Sequence, residues 1–328
     1  VYRQIGVGGD DSWSIRASPL PLFRLNDRRY DFNFILAPSA SSEVSDSNQT
    51  GAVDRQAIES ARRIVFLGDS NTHAGRYIEM VEAQLRRSGL EEMPELINLG
   101  LASETCSGLS EPDHPFPRPD VHERLDRALE LSEPDIVVAC YGVNDGIYYP
   151  FDEGRFAVYR DGIKRLIDRV GSKGAKLVLI TPPPFDAMPV QQKGGRLLPA
   201  GAKKFAWNAV YEDYDRVMRR YAQWILQQAD RVAQVVDIYH PLQQELATRR
   251  ESDPGYAMSN DGVHWDDDGH RLVANALLEA WQFEPNKGDD QELERLVAKR
   301  QRVTHLAWLS HVGHQRPNVE PGLPLEEA

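Results

Sequence analysis

The feature that most narrows the fold is a recurrence. Short, β-branched apolar runs alternate with longer stretches of helical periodicity. Ile64-Val65-Phe66-Leu67 and the run from Asp135 to Tyr141 (DIVVACY) carry no polar face. A strand that is apolar on both sides must be covered on both sides, which is the condition of a parallel sheet crossed by helices. Read this way, strands fall at 62–67, 94–99, 135–141, 175–181 and 232–238. Helices fall at 74–87, 119–131, 155–171, 203–228 and 268–281. The alternation predicts an α/β fold: a doubly wound parallel sheet of about five strands with helices on both faces. Thr181-Pro-Pro-Pro-Phe185 cannot continue a strand, and an irregular loop is expected from there to about Gly201.

Three motifs sit at the ends of these elements. Gly68-Asp69-Ser70 follows the first strand, where Gly68 is expected to allow a sharp turn. Tyr77, Met80, Val81 and Leu85 then recur at helical spacing, so Ser70 lies at a strand-to-helix junction. Unpaired N–H groups there favour developing negative charge. A serine hydroxyl needs a base to attack at neutral pH. Asp261-Gly262-Val263-His264 supplies one, because a carboxylate three residues before an imidazole can fix its tautomer. Gly142-Val143-Asn144-Asp145 follows the third strand, where an Asn amide can donate to the oxyanion of a tetrahedral intermediate. Taken singly, each motif has an ordinary alternative: a helix cap, a surface histidine, a turn. Their order, and the placement of each at a strand end or helix start, with Ser70 and Asn144 at the strand ends where α/β sheets bind ligands, argue for ester cleavage.

The motifs resemble those of the SGNH hydrolases, also called the GDSL esterase/lipase family. The resemblance covers roughly residues 62–282 and rests on GDSNT (68–72), Gly142 to Asp145, and Asp261 to His264. It implies Ser70 as nucleophile, His264 as base and Asp261 as its orienting carboxylate. It also implies oxyanion donors in the Ser70 N–H and the Asn144 amide. A third donor in this family is usually a glycine N–H after the second strand. Aligning Asn98 and Thr105 puts Ser103 at that place, with Gly100 three residues earlier. Asp69, Asn71, Gly100, Tyr148 and Trp265 are expected to contact substrate. No metal or other cofactor is expected.

The formal charge of −12, from 38 Lys and Arg against 50 Asp and Glu, opposes nucleic acid or an anionic membrane as partner. No stretch has the length of a transmembrane helix. Cys106 and Cys140 are expected as buried thiols. Four segments are expected: a β segment over 1–38, a linker over 39–60, the hydrolase domain over 61–283 and a helical extension over 284–328. Residues 2–13, YRQIGVGGDDSW, with the alternating Tyr30, Phe32, Phe34 and Leu36, resemble the C-terminal end of large bacterial β-galactosidases. In those enzymes the position of Trp13 approaches the sugar pocket. A fused or adjacent β-galactosidase module is therefore an expected partner. The chain starts at Val1, so any export signal would lie outside it, and an exported location is favoured. In the tail, His305, His311 and His314 lack a matching Cys or carboxylate set, so a docking helix is expected rather than a metal site.

The acyl substrate is read from indirect cues. The loops carry Tyr148, Tyr149, Phe151, Phe185 and Trp265 among polar residues and show no apolar lid. Aromatic faces beside hydrogen-bonding groups suit sugar rings. The expected function is removal of short acyl groups, acetyl foremost, from carbohydrate. A lipase, a thioesterase or an acyltransferase with the same triad remains open. So do a bifunctional β-galactosidase–esterase fusion and a non-catalytic carbohydrate-binding module. Paired glycosidase carboxylates are absent from the motifs.

Overall fold

The computed structural model describes residues 52–328. The chain separates into two units, Val1–Ser45 and Asp46–Ala328. The β-galactosidase-like segment 1–38, with Trp13 and the strand pattern at Tyr30 to Leu36, lies outside the described residues, as does the linker up to residue 51.

The elements begin with a short helix α1 (Arg55–Ser60), capped by the Asp54 carboxylate, where the sequence pattern predicts linker. Strand β1 (Arg63–Gly68) runs into helix α2 (Ser70–Ala74) and then α3 (Arg76–Arg87). Next come β2 (Glu95–Asn98), α4 (Val121–Ser132), β3 (Ile136–Cys140), α5 (Glu153–Ser172) and β4 (Lys176–Ile180). All four strands are parallel, in register with their neighbours. The stretch predicted as one loop contains α6 (Ala187–Gln192) and β5 (Arg196–Leu198). The helix predicted at 203–228 starts late, because β6 (Ala209–Tyr211) pairs with β5 in a separate two-stranded sheet and only α7 (Tyr214–Leu226) is helical. Strand β7 (Gln234–Val236) closes the main sheet. Helix α8 (Tyr239–Ser252) is absent from the sequence expectation. Only Tyr239, Leu242 and Leu246 are buried on it, too few to show a period. Helices α9 (Asp267–Ala280) and α10 (Gln291–Val312) complete the chain.

The main sheet has the order β2-β1-β3-β4-β7. Side chains alternate across it. Val65, Leu67, Val137 and Ala139 face one apolar layer with Leu125, Ile163 and Val217 from α4, α5 and α7. Ile64, Phe66, Ile136 and Val138 face the other with Ile78, Leu242 and Val273 from α3, α8 and α9. The sheet is thus apolar on both sides, which is why its central strands read as unbroken hydrophobic runs. In this strand order the connections diverge between β1 and β3, and ligands bind at the carboxyl ends beside such a switch point.

Helix α10 docks as the tail pattern predicts. Gln301 donates to Glu82 and to the Leu96 carbonyl, and His305 Nδ1 lies 2.8 Å from the Asn98 carbonyl. Cys106 and Cys140 are buried free thiols. Among the described residues no helix is long and apolar enough to cross a membrane, and none of their His, Cys, Asp and Glu side chains form a metal-sized cluster.

Candidate functional site

The turn after β1 sets the first side chain. Gly68 is needed here for close approach rather than for a left-handed turn. A Cβ on it would sit 2.2 Å from Thr72 Oγ1 and 2.9 Å from the Cys140 carbonyl. Asp69, buried, caps α2 by accepting the Asn71 N–H at 3.1 Å. The helix ends at Gly75, whose φ of 75° is left-handed, so a short helix precedes the helix expected at 74–87, which begins at Arg76. Ser70 is left at the first position of α2, part-exposed.

His264 meets it from a loop 194 residues downstream. His264 Nε2 lies 2.8 Å from Ser70 Oγ. His264 Nδ1 lies 2.7 Å from Asp261 Oδ2. The other carboxylate oxygen of Asp261 accepts the backbone N–H groups of Val263 and His264 at 3.0 and 2.9 Å. Partial burial works against the Asp261 charge, but these donors outweigh it and hold its carboxyl well below the usual range. The same hydrogen bond from Asp261 raises the His264 imidazole above its ordinary value, against the opposing effect of burial. With Asp261 on Nδ1, neutral His264 carries its proton there and leaves Nε2 as acceptor for the serine proton.

Asn71 locks this meeting in place. Its Nδ2 donates to the Val263 carbonyl and its Oδ1 accepts the Trp265 N–H, each at 3.1 Å. One buried side amide therefore grips the residues on either side of His264. The sequence reading gave Asn71 and Asp69 to substrate. The structure buries both and commits their side chains to the turn and the histidine loop. Burial pushes the Asp69 carboxyl up to about 6, with the Asn71 N–H pulling the other way.

The residues expected as oxyanion donors come from the chain after β2 and the loop after β3. Gly100 is not available to it. Its N–H donates to Asn98 Oδ1 at 2.8 Å, and a Cβ there would strike the backbone at Thr72 and His73. The Ser103 N–H meets no acceptor among the described residues. Ser103 has a φ of 70°, a left-handed conformation that costs a side-chain-bearing residue about 1–2 kcal/mol and that glycine would adopt freely. Asn144 Nδ2 donates to the carbonyl of Glu104, next to Ser103, at 3.2 Å. One amide hydrogen of Asn144 is then left to donate elsewhere.

Tyr148 is buried, contrary to its reading as a substrate-facing aromatic. Its hydroxyl donates to Asn144 Oδ1 at 2.9 Å, and its ring stacks on Tyr214 at 5.2 Å. It holds the Asn144 amide by that bond. Phe185 is buried too, whereas Tyr149 and Phe151 are partly exposed. Trp265 packs edge-on against Tyr77 and His270 at 6.4 and 5.3 Å.

Sequence reasoning missed the groups beneath these donors. Arg118 is buried, bonded through Nε and Nη2 to Glu111 at 2.6 and 2.8 Å. Its Nη1 donates to the Ser103 carbonyl at 3.3 Å, and its guanidinium lies 5.4 Å over the Tyr148 ring. One cation thus steadies both candidate oxyanion elements. Removing one partner of such a buried pair costs about 3–5 kcal/mol. Its only sequence signal is an arginine set among Pro115, Pro117 and Pro119. Arg124, Glu104 and Tyr141 form a second buried network, with Arg124 Nη2 donating to the Leu99 carbonyl at 2.6 Å and the Tyr141 hydroxyl to Glu104 Oε2 at 2.6 Å.

Two clefts of about 980 and 920 Å³ lie elsewhere on the molecule, and neither is lined by Ser70, Asp261 or His264. The site is an open surface with the Asp261 and His264 side chains about half exposed (53% and 54%). A serine hydroxyl on an imidazole base can attack a carbonyl carbon.

Comparison with known proteins follows from this geometry. A search of the curated proteins returned no match. Among solved structures, the chain is similar to a gut microbial diltiazem-metabolizing enzyme at 20% identity and a TM-score of 0.53. That match covers 67% of this chain and 47% of the other, so the chain spans about half the length of that protein. It is also similar to Axe2, an acetylxylan esterase from Geobacillus stearothermophilus, at 22% identity and a TM-score of 0.51, covering 70% of this chain and 97% of the other. At these identities the likeness establishes the fold. The GDSL-like lipase/acylhydrolase family matches residues 66–272, from β1 through the first part of α9. That span is most of the chain, it holds all three motifs, and it supports carboxylic ester hydrolysis. The chain belongs to the GDSL-like lipase/acylhydrolase family.

Proposed function

We propose that this chain is a serine esterase that removes short acyl groups, acetyl foremost, from hydroxyls of carbohydrate. The observation that carries the proposal is the unbroken hydrogen-bond chain Ser70 Oγ, His264 Nε2, His264 Nδ1, Asp261 Oδ2. In this reading His264 takes the Ser70 proton as Oγ attacks the ester carbonyl. The N–H groups of Ser70 and Ser103 and the free Asn144 amide hydrogen hold the oxyanion. His264 then gives the proton to the leaving hydroxyl. Water, deprotonated by His264, releases the acyl group from Ser70.

Two features favour a short acyl group on a polar alcohol. The small, mostly apolar pocket beside the histidine loop, lined by Leu242, Leu246, Met258 and Trp265 together with Asp186 and Ser259, is about 20 Å³, which is the room of one or two waters. The Asp261 and His264 side chains are half exposed, which leaves room for a solvated alcohol. The likeness to an acetylxylan esterase is compatible with this substrate and carries the fold alone. The motif at Ile5 to Trp13 extends the proposal to an esterase joined to a sugar-cleaving module.

The test is kcat/KM across a C2 to C12 ester series together with acetate release from acetylated xylan, mannan and galactoside oligosaccharides. Acetate esters should be cleaved fastest, and Ser70→Ala should lose activity on all of them. A groove that buried the chain would gain about 0.8 kcal/mol per methylene. A rate that climbs with chain length therefore overturns the short-acyl reading and leaves the triad standing.

A further inference from the structure

Trp207 is half exposed (50%), on a segment whose other aromatic, Phe205, is buried against Tyr149. A single exposed aromatic is ordinary on a protein surface. What sets this one apart is where and how it is held. Ala206 and Ala209 exchange backbone hydrogen bonds at 3.1 and 2.9 Å, so Trp207 and Asn208 form the tip of a closed two-residue turn. The Trp207 N–H donates to Glu111 Oε1 at 3.3 Å. Lys204 Nζ reaches Asp113 at 3.2 Å. On the other side, the Tyr211 N–H donates to the Tyr148 carbonyl at 3.0 Å.

The turn is therefore pinned to two segments that already belong to the site. Glu111 is the partner of Arg118, which bonds Ser103 and covers Tyr148. Tyr148 in turn holds Asn144. The Trp207 side chain itself is left unengaged. Its indole has no ring contact and its Nε1–H no acceptor among the described residues. Such a platform suits one class of ligand. A pyranose ring presents a flat face of C–H groups that loses water favourably on an indole, while its hydroxyls stay solvated at the edge. A fixed backbone and only two side-chain torsions keep the ordering cost low.

We propose that Trp207 is a sugar-ring subsite for the alcohol side of the ester, suspended from the same Glu111–Arg118 pair that steadies the oxyanion donors. This inference rests on the carbohydrate esterase reading and adds where the saccharide is held. The experiment compares wild type, Trp207→Ala and Trp207→Phe on acetylated xylo-oligosaccharide and on ethyl acetate, which has no ring to stack. In Trp207→Ala the ratio of kcat/KM for the saccharide to that for ethyl acetate should fall roughly tenfold, mainly through KM. Trp207→Phe should recover most of it. An unchanged ratio, or a fall carried by kcat alone, overturns the subsite while leaving the carbohydrate reading intact. A wild-type enzyme that cleaves ethyl acetate but no acetylated saccharide overturns the carbohydrate reading, and the subsite's ligand with it.

Discussion

Of the three Asp-x-x-His spacings in the sequence, two close the same Asp–His hydrogen bond. Asp261 and His264 meet at 2.7 Å, and Asp237 and His240 at 2.6 Å, both between Nδ1 and Oδ2, with both imidazoles a little over half exposed. They part at what lies beyond them. His264 Nε2 faces Ser70. The second pair sits where β7 hands over to α8. There Asp237 Oδ1 takes hydrogen bonds from the Tyr239 N–H, the His240 N–H and the Thr181 hydroxyl. Thr181 is fully buried and itself accepts the Ile238 and Tyr239 N–H groups. The Thr181 hydroxyl is therefore spent on closing a helix start, and none faces His240 Nε2 among the described contacts. A carboxylate three residues before an imidazole is a local structure that any helix entry can form. It becomes a candidate base only when the fold presents a free hydroxyl to the other nitrogen.

The harshest test replaces each histidine. His264→Ala should lose about 10⁴-fold or more in kcat. His240→Ala should stay within threefold, with stability changed by about 1 kcal/mol or less. Comparable losses at both sites would break the comparison. A second variant sharpens it. Asp261→Asn should cost about 10³- to 10⁴-fold. Because the Asp261 bond raises the His264 imidazole, the loss of activity on acidification should also move to lower pH in this variant. An acid limb that stays in place would mean that Asp261 does not tune the base.

Smaller effects separate the base from the oxyanion side. Asn144→Ala should reduce kcat by about 10²- to 10³-fold with little change in KM. Tyr148→Phe, which frees the Asn144 amide to rotate, should fall between that variant and wild type. The mildest effect concerns stability. Asp145 accepts the Cys106 and Ser107 N–H groups at 2.8 and 2.7 Å, and burial pushes its carboxyl up to about 7. Between about pH 4 and 7 the folded chain then keeps a proton that the unfolded chain has released, so stability declines as pH rises through that window. Asp145→Asn should flatten that decline in denaturant titrations at pH 4, 5.5 and 7. An unaltered slope would remove Asp145 as its source.

Much of this was legible in sequence where one residue's surroundings are dictated by its neighbours in the chain. The strands β1, β3 and β4 are buried on both faces, so their runs could be nothing else, and the ends of β1 and β3 then located Ser70 and Asn144, while Asp261 and His264 were found by their own spacing. Legibility failed where partners are remote. Nothing about Asn71 announces that it will grip residues on either side of His264, and nothing about Arg118 points to Ser103 and Tyr148. Residue type also misled. An aromatic in a loop looks like a binding surface, yet Tyr148 and Phe185 are buried, while Trp207, passed over inside an expected helix, is on the surface. That helix was drawn too long because the 203–213 stretch contains β6, whose pairing with β5 cannot be inferred from periodicity.

The Asn71 clamp has a consequence for when this protein becomes competent. Its amide can close only after the chain has been made past Trp265 and that loop has found the first turn, a contact of very long sequence separation. Contacts of this kind are slow to form, because the intervening chain must be ordered before they are rewarded. A nascent or truncated chain ending before residue 265 could pair β1 with its neighbours and still hold an inert serine. The Ser70 hydroxyl can meet His264 only once the chain past residue 264 has been made, so a chain cut before that point holds Ser70 without its imidazole partner.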